Sequence, residues 1–110
     1  MWNLPDKQKL SSIPMLYSSE EVPLKEKLIQ LHFFINNTDF YIIEYDGEET
    51  FWGFVILNGD SQMAEFGYIN YEEIKSIKVN GWQEIDCDLY WDIRPAKQVE
   101  KICICQSWEY

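Results

Sequence analysis

The stretch Leu28-Ile29-Gln30-Leu31-His32-Phe33-Phe34-Ile35-Asn36-Asn37-Thr38-Asp39-Phe40-Tyr41-Ile42-Ile43-Glu44-Tyr45-Asp46-Gly47-Glu48-Glu49-Thr50-Phe51-Trp52-Gly53-Phe54-Val55-Ile56-Leu57 decides the fold. Two dense aromatic and β-branched runs are joined by Asn36-Asn37, and a third follows Asp46-Gly47-Glu48-Glu49. Runs of this kind with turn formers between them predict three consecutive antiparallel strands, the second connecting tip being strongly acidic. Alternation places Ile29, Leu31, Phe33 and Ile35 on one face of the first strand, and Gln30, His32 and Phe34 on the other. In the second strand, Phe40 to Asp46, Tyr41, Ile43 and Tyr45 face one way and Phe40, Ile42, Glu44 and Asp46 the other. The third, Phe51 to Leu57, is apolar or glycine throughout, which predicts a central strand covered on both faces. Gly53 within it marks a bulge or a close approach of another element.

Downstream, Asn58-Gly59-Asp60 signals a turn and Ala64 to Ile69 a short fourth strand carrying Phe66 and Tyr68. Asn70 is an N-cap with Glu73 at capping-box spacing, so Tyr71 to Ile77 reads as a helix with Ile74 and Ile77 inward, ended by Val79-Asn80-Gly81. Ile85, Cys87, Leu89 and Trp91 alternate with Asp86, Asp88, Tyr90 and Asp92, which predicts a half-exposed strand with one acidic face. Arg94-Pro95 breaks it, and Ala96 to Gln106 reads as a terminal helix. At the other end, Pro5-Asp6 opens a short helix that Pro14 stops, and Met15 to Pro23 is an exposed connector. The expectation is one α+β domain over residues 1–110, a mainly antiparallel sheet of four to five strands with two to three short helices.

Composition bounds what such a domain does. Nineteen acidic residues against nine basic ones give a net charge of -10, which disfavours nucleic acid and anionic membranes as direct partners and favours basic protein surfaces. The three cysteines, Cys87, Cys103 and Cys105, cannot all pair, and no leader-like segment opens the chain, so a reducing cytoplasm is expected. Cys103-Ile104-Cys105 lacks the second ligand pair that a zinc site needs, and no apolar run approaches the ~20 residues of a membrane span. No cofactor is expected. Oligomeric state is left open by the sequence, since an exposed edge strand can pair with its twin.

The segments Leu31-His32-Phe33-Phe34, Tyr45-Asp46-Gly47-Glu48-Glu49-Thr50-Phe51-Trp52-Gly53 and Ala64-Glu65-Phe66-Gly67-Tyr68-Ile69, with a Glu-rich helix after them, resemble the domain of unknown function 2958 family. Leu4-Pro5 and Ile13-Pro14-Met15-Leu16-Tyr17 resemble that family's N-terminus, so the likeness runs to about Pro95. The resemblance implies a small domain carried by plasmids, integrative elements and phages. It brings no established activity, and small acidic proteins of such elements are frequently inhibitors of host defence.

Candidate contacts follow from the acids. Glu44, Asp46, Glu48 and Glu49 crowd one hairpin end, and Glu65 joins them if the sheet is a simple meander. Alternate strand residues lie about 6.6 Å apart, so Glu44 and Asp46 are within reach of one partner. A solvated turn, a protein-recognition patch and a Mg or Ca site compete here, the last without a spaced calcium-loop signature. Asp86, Asp88 and Asp92 form a second acidic face, which a DNA mimic would set at phosphate positions in a basic groove. A small-molecule or nucleotide pocket walled by Tyr41, Tyr45, Trp52, Phe54 and Tyr68 is the alternative, with Lys25, Lys27, Lys75, Lys78 and Arg94 as donors to a phosphate. A carboxylate-dependent enzyme using Glu44 with Glu65 is the weaker alternative, because His32 is the one histidine and no nucleophile motif or phosphate loop occurs. The expectation is therefore a non-catalytic acidic protein that binds a basic, nucleic-acid-handling or host-defence protein.

Overall fold

The computed structural model describes all 110 residues. Strands β1 (Leu28–Ile29), β2 (Leu31–Ile35), β3 (Thr38–Tyr45), β4 (Thr50–Ile56) and β5 (Glu65–Asn70) are followed by helix α2 (Tyr71–Ser76); helix α1 (Lys7–Ser11) precedes them. The rest is the hairpin β6 (Lys78–Val79) and β7 (Gln83–Glu84), the short β8 (Asp86–Cys87) and β9 (Arg94–Pro95), and helix α3 (Glu100–Gln106). A five-stranded antiparallel sheet in the order β5-β4-β3-β2-β8 is the frame, and β1 pairs with β9 beside it. The α+β expectation holds. No helix is long and apolar enough to cross a membrane.

The sheet is covered on both faces. A core of 13 buried residues, including Phe33, Phe51, Tyr71, Ile74 and Ile85, lies under α1, α2 and the loop before β8. A second of 8, including Ile29, Tyr41, Phe54 and Ile102, lies under α3. All eight residues of β3 are therefore buried. Asn36 adopts φ +49° in the two-residue turn that sets the β2–β3 register, and Asn70 caps α2 by accepting the Glu73 N–H at 3.0 Å.

Four details depart from simple alternation. First, the strand breaks at Gln30, whose N–H bonds Ile42 O, so Ile29 packs in the second core while Leu31, Phe33 and Ile35 pack in the first. Second, β3 bulges at Ile43, because Ile42 pairs with Gly53 but Glu44 with Trp52. The extra residue reverses the alternation. Tyr45 thus joins the first core with Phe51, and Glu44 shares the side of Ile43 and Trp52. Third, only Asp86–Cys87 of the expected Ile85 to Asp92 strand pairs with β2. Asp88 then accepts the Tyr90 N–H at 3.0 Å, a side-chain turn that competes with continued pairing and leaves Leu89 and Tyr90 in solvent. Fourth, the expected terminal helix is two pieces, a single 3-10 turn over Ala96–Gln98 and then α3, parted at the extended Val99.

Gly53 is required where the bulge brings strands together: a Cβ there would stand 1.9 Å from the Tyr41 carbonyl oxygen. A Cβ at Gly67 on β5 would meet nothing within 4 Å. Gly53→Ala is expected to cost about 3 kcal/mol through a backbone clash that no rotamer relieves. Gly67→Val, on an unobstructed strand position, is expected to gain about 0.5 kcal/mol. Urea unfolding of both variants checks the pair.

Candidate functional site

Two polar constellations lie on the face that carries the second core. The larger is a cleft of about 450 Å³ lined by Tyr17, Glu20, Leu24, Lys27, Glu44, Trp52 and Tyr68. Trp52 and Tyr68 come from directly paired positions of β4 and β5 and so share a face. Glu44 arrives from β3 through the bulge and is 4% exposed. Burial of a carboxylate is costly unless hydrogen bonds replace its water. Here the connector supplies them: Glu44 Oε1 accepts the Tyr17 N–H at 2.9 Å, and Oε2 accepts the Ser19 N–H at 3.0 Å and the Ser19 hydroxyl.

Lys27 completes the arrangement. Its buried ammonium donates to the Ser19 carbonyl and, at 3.3 Å, to Ser19 Oγ, and it lies 5.5 Å from the centre of the Trp52 ring. Ser19 thus stands between a buried anion and a buried cation. Tyr17 is held at φ +69°, a backbone region that bulky residues rarely occupy, and its hydroxyl lies 2.8 Å from that of Tyr68. A strained residue fixed at a cleft wall is a mark of a built site. The hydrogen bond between the two phenols, followed by desolvation, raises the Tyr68 hydroxyl above its ordinary range. Glu44 is spent on the connector, so the acceptors that the cleft presents are the exposed Glu20 carboxylate and the two phenol oxygens.

No protein-family model, no curated protein and no solved structure matches the chain.

The second constellation is Asp39, His32 and Lys101. Asp39 is 2% exposed; His32 Nε2 lies 2.7 Å from its Oδ1, and Lys101 Nζ donates to its Oδ2 at 3.0 Å. His32 is stacked on Tyr41, ring centres 4.4 Å apart, with Trp91 tilted beside both. Burial works to raise the Asp39 pKa, but the hydrogen bonds from His32 and Lys101 together with their charges hold it below the ordinary 3.8. Both oxygens of Asp39 are occupied by structure-holding contacts.

The expected contact residues are therefore dispersed. Asp46 does not project: its Oδ1 accepts the N–H groups of Glu48, Glu49 and Thr50 at 2.8, 2.9 and 3.0 Å, with Gly47 at φ +86° closing the tip. Those bonds, the Thr50 amide foremost, lower its pKa. Glu48 and Glu49 are exposed as expected, and the Glu49 carbonyl accepts the Tyr71 N–H, which brings exposed Glu72 and Glu73 to the same end. Glu65 does not join Glu44; it pairs with Val55 and lies on the opposite face. Nor is there a row of Asp86, Asp88 and Asp92. Asp86 accepts two hydrogen bonds from Asn3, Asp88 makes its turn, both are half-buried, and of the three only Asp92 is exposed. Of the expected pocket walls, Trp52 and Tyr68 line the cleft, whereas Tyr41, Tyr45 and Phe54 are core residues.

Tyr17, Ser19, Glu20 and Asp39 were not among the expected site residues. Asp39 had a readable signal: a two-residue turn at Asn36-Asn37 puts His32 opposite Tyr41 and hence diagonal to Asp39 on one face. For Tyr17 and Ser19 no local pattern announces that their amides meet Glu44.

Two outcomes follow. Glu44→Ala strands two connector amides and the Lys27 charge; a loss of about 2–3 kcal/mol and faster proteolysis between Met15 and Pro23 are expected, read by urea unfolding and limited digestion. For Asp39 the folded-state pKa is depressed, so its stabilisation is present above the ordinary 3.8 and is lost as pH falls through the lower folded value. Asp39→Asn is expected to flatten that acid limb, measured as the unfolding midpoint from pH 6 down to about pH 2.

Proposed function

We propose that this protein is a non-catalytic binding module, an acidic accessory protein of a mobile genetic element that captures a basic partner such as a nucleic-acid-handling or host-defence protein. The observation that carries the reading is the gathering of exposed carboxylates at one end of the sheet, where the Glu49 carbonyl accepts the Tyr71 N–H. Exposed Glu48, Glu49, Glu72 and Glu73 stand there, Glu72 paired with Lys75 at 2.8 Å, while the aromatic cleft walled by Tyr17, Trp52 and Tyr68 opens on the face opposite α2. Carboxylates in solvent steer a cationic partner over about a Debye length, ~8 Å at physiological salt, and the aromatic cleft receives a guanidinium or ammonium group on arrival. The mobile-element setting is supported by the resemblance of the strand and tip segments described above. An inhibitor's role, by charge mimicry of nucleic acid or by simple occlusion, is consistent with that setting.

The reading as a binder without chemistry is supported by the state of its reactive groups. Burial pushes the Cys87 thiol up to about 12, with Asp86 and Asp88 adding to it, and raises Cys103 and Cys105 as well, so none is poised as a thiolate. The carboxylates Glu44 and Asp39 are engaged by the fold.

The cleft volume also lies within the range of small-ligand pockets, which sustains capture of a small molecule as the second reading. One experiment separates the two. A fluorescent nona-arginine peptide and host-lysate pull-downs are compared between the wild type and the Glu48→Gln/Glu49→Gln/Glu72→Gln/Glu73→Gln variant at low and high salt. Peptide binding that falls at least tenfold on neutralisation and falls again with salt is expected. Unchanged binding by the variant overturns the proposal. A small ligand retained by that variant and released by Trp52→Ala or Tyr68→Ala moves the assignment to small-molecule capture.

A further inference from the structure

The free edge of β5 is the part of the sheet that the fold leaves unfinished. β5 pairs on one side only, with β4, from Thr50↔Asn70 to Val55↔Glu65, without a register shift. Alternate backbone N–H and C=O groups on the other side of an edge strand point outward. No loop or side chain of this chain bonds the backbone of Glu65 to Ile69 from that side. Edges are ordinarily blunted by shortness, lysine, proline, a bulge or a cover. The opposite edge follows this rule, since β8 is two residues long and ends in the Asp88 turn. By contrast β5 has six residues, Glu-Phe-Gly-Tyr-Ile-Asn, with neither lysine nor proline.

Gly67 is the second observation. Its φ is not positive and its Cβ position opens on empty space, so neither backbone nor packing demands glycine there. Its bare Cα borders a groove of about 410 Å³ along the edge, bounded by Val55, Leu57 and Met63 and by the polar Asn58, Asp60 and Glu65. Met63 is 75% exposed on its rim. On the other face of the same strand Tyr68, 59% exposed, opens into the acceptor-rich cleft. A strand laid along β5 would therefore alternate between a groove of mixed apolar and acidic walls and an aromatic cleft.

We propose that the β5 edge takes up an extended basic segment of the partner as a sixth strand, its cationic side chains reaching Glu65 and Asp60 on the Gly67 face and Glu20 on the Tyr68 face. This rests on the basic-partner reading above and adds where the partner's backbone lies and what sequence it has. Charge decides the occupant. A second copy would bring another net charge of -10 to an edge that opens with Glu65, whereas a basic segment is drawn to Glu65, Asp60 and Glu20 around the same edge.

The test uses an eight-residue peptide of alternating Lys and Val, the same peptide with the backbone amides along one edge N-methylated, and an alternating Glu and Val control. Binding is read by fluorescence anisotropy, and amide exchange is read across residues 65–70. Expected are binding at least tenfold tighter for the unmethylated basic peptide than for either other peptide, exchange slowed at least tenfold in β5, and a tenfold loss with Glu65→Lys, which leaves the fold's buried contacts untouched. Equal binding of methylated and unmethylated forms, or no protection of β5, overturns strand addition; the basic-partner reading then still stands if nona-arginine binds the acidic end, and falls if it does not. Equal binding of the Glu and Val peptide overturns the charge assignment. A dimer whose formation alone protects β5 makes a second copy the occupant and overturns the proposal.

Discussion

The bulge at Ile43 governs much of this structure. A strand buried on both faces has no solvent side on which to place a misfit, so one extra residue in β3 must be absorbed by its partner. The absorption occurs at Gly53, the residue that lets the Tyr41 carbonyl come close. Beyond the bulge every side chain changes face. Tyr45 turns into the aromatic core of Phe51 and Tyr71, whose hydroxyl burial pushes up to about 12, and Glu44 turns into the cleft. Without this one-residue insertion the carboxylate would enter a hydrocarbon core and the tyrosine would lie where the connector now docks.

Once Glu44 is buried, the connector has a reason to be ordered. Met15, Tyr17 and Val22 stay exposed, so residues 15–23 bury little of their apolar area, yet two of their amides and one hydroxyl replace the water that Glu44 lost. Lys27 then balances the charge through Ser19. The cleft is the space left between this docked connector and the sheet, so its walls are assembled from a segment remote in sequence from β4 and β5. A buried ion network of this kind gives definition of shape more than net stability.

Much of the frame was legible in the residues. Asn36-Asn37, the acidic tip, the Asn70 cap and the β-branched runs fix four strands and α2 by local rules, and these elements formed where those rules place them. The site was legible in part. Trp52 and Tyr68 stand among the aromatics expected to wall a pocket, whereas Glu44 lies on the side opposite to the expected one because alternation has no memory of an inserted residue. The acidic face at Asp86, Asp88 and Asp92 failed for a different reason. Alternation marks a half-buried strand but does not supply a partner, and β2 offers pairing to β8 only at Phe33 and Phe34. Glu65 stays apart from Glu44 although the sheet is the meander that was to join them, because register sets it several residues away and on the other face.

The meander itself has a consequence for how the chain finds this state. From β2 to β5 each strand pairs with its neighbour in sequence, so four strands assemble through short loop closures. The contacts that join distant parts, Phe33 with Cys87 and Leu28 with Pro95, add only the sheet's last edge and its annex. Synthesis from the N-terminus therefore delivers a pairing-competent four-stranded sheet before α3 exists to cover Tyr41 and Phe54. During that interval the second face is bare, and the acidity of the chain acts as its own guard, holding nascent copies apart by charge until the last helix docks.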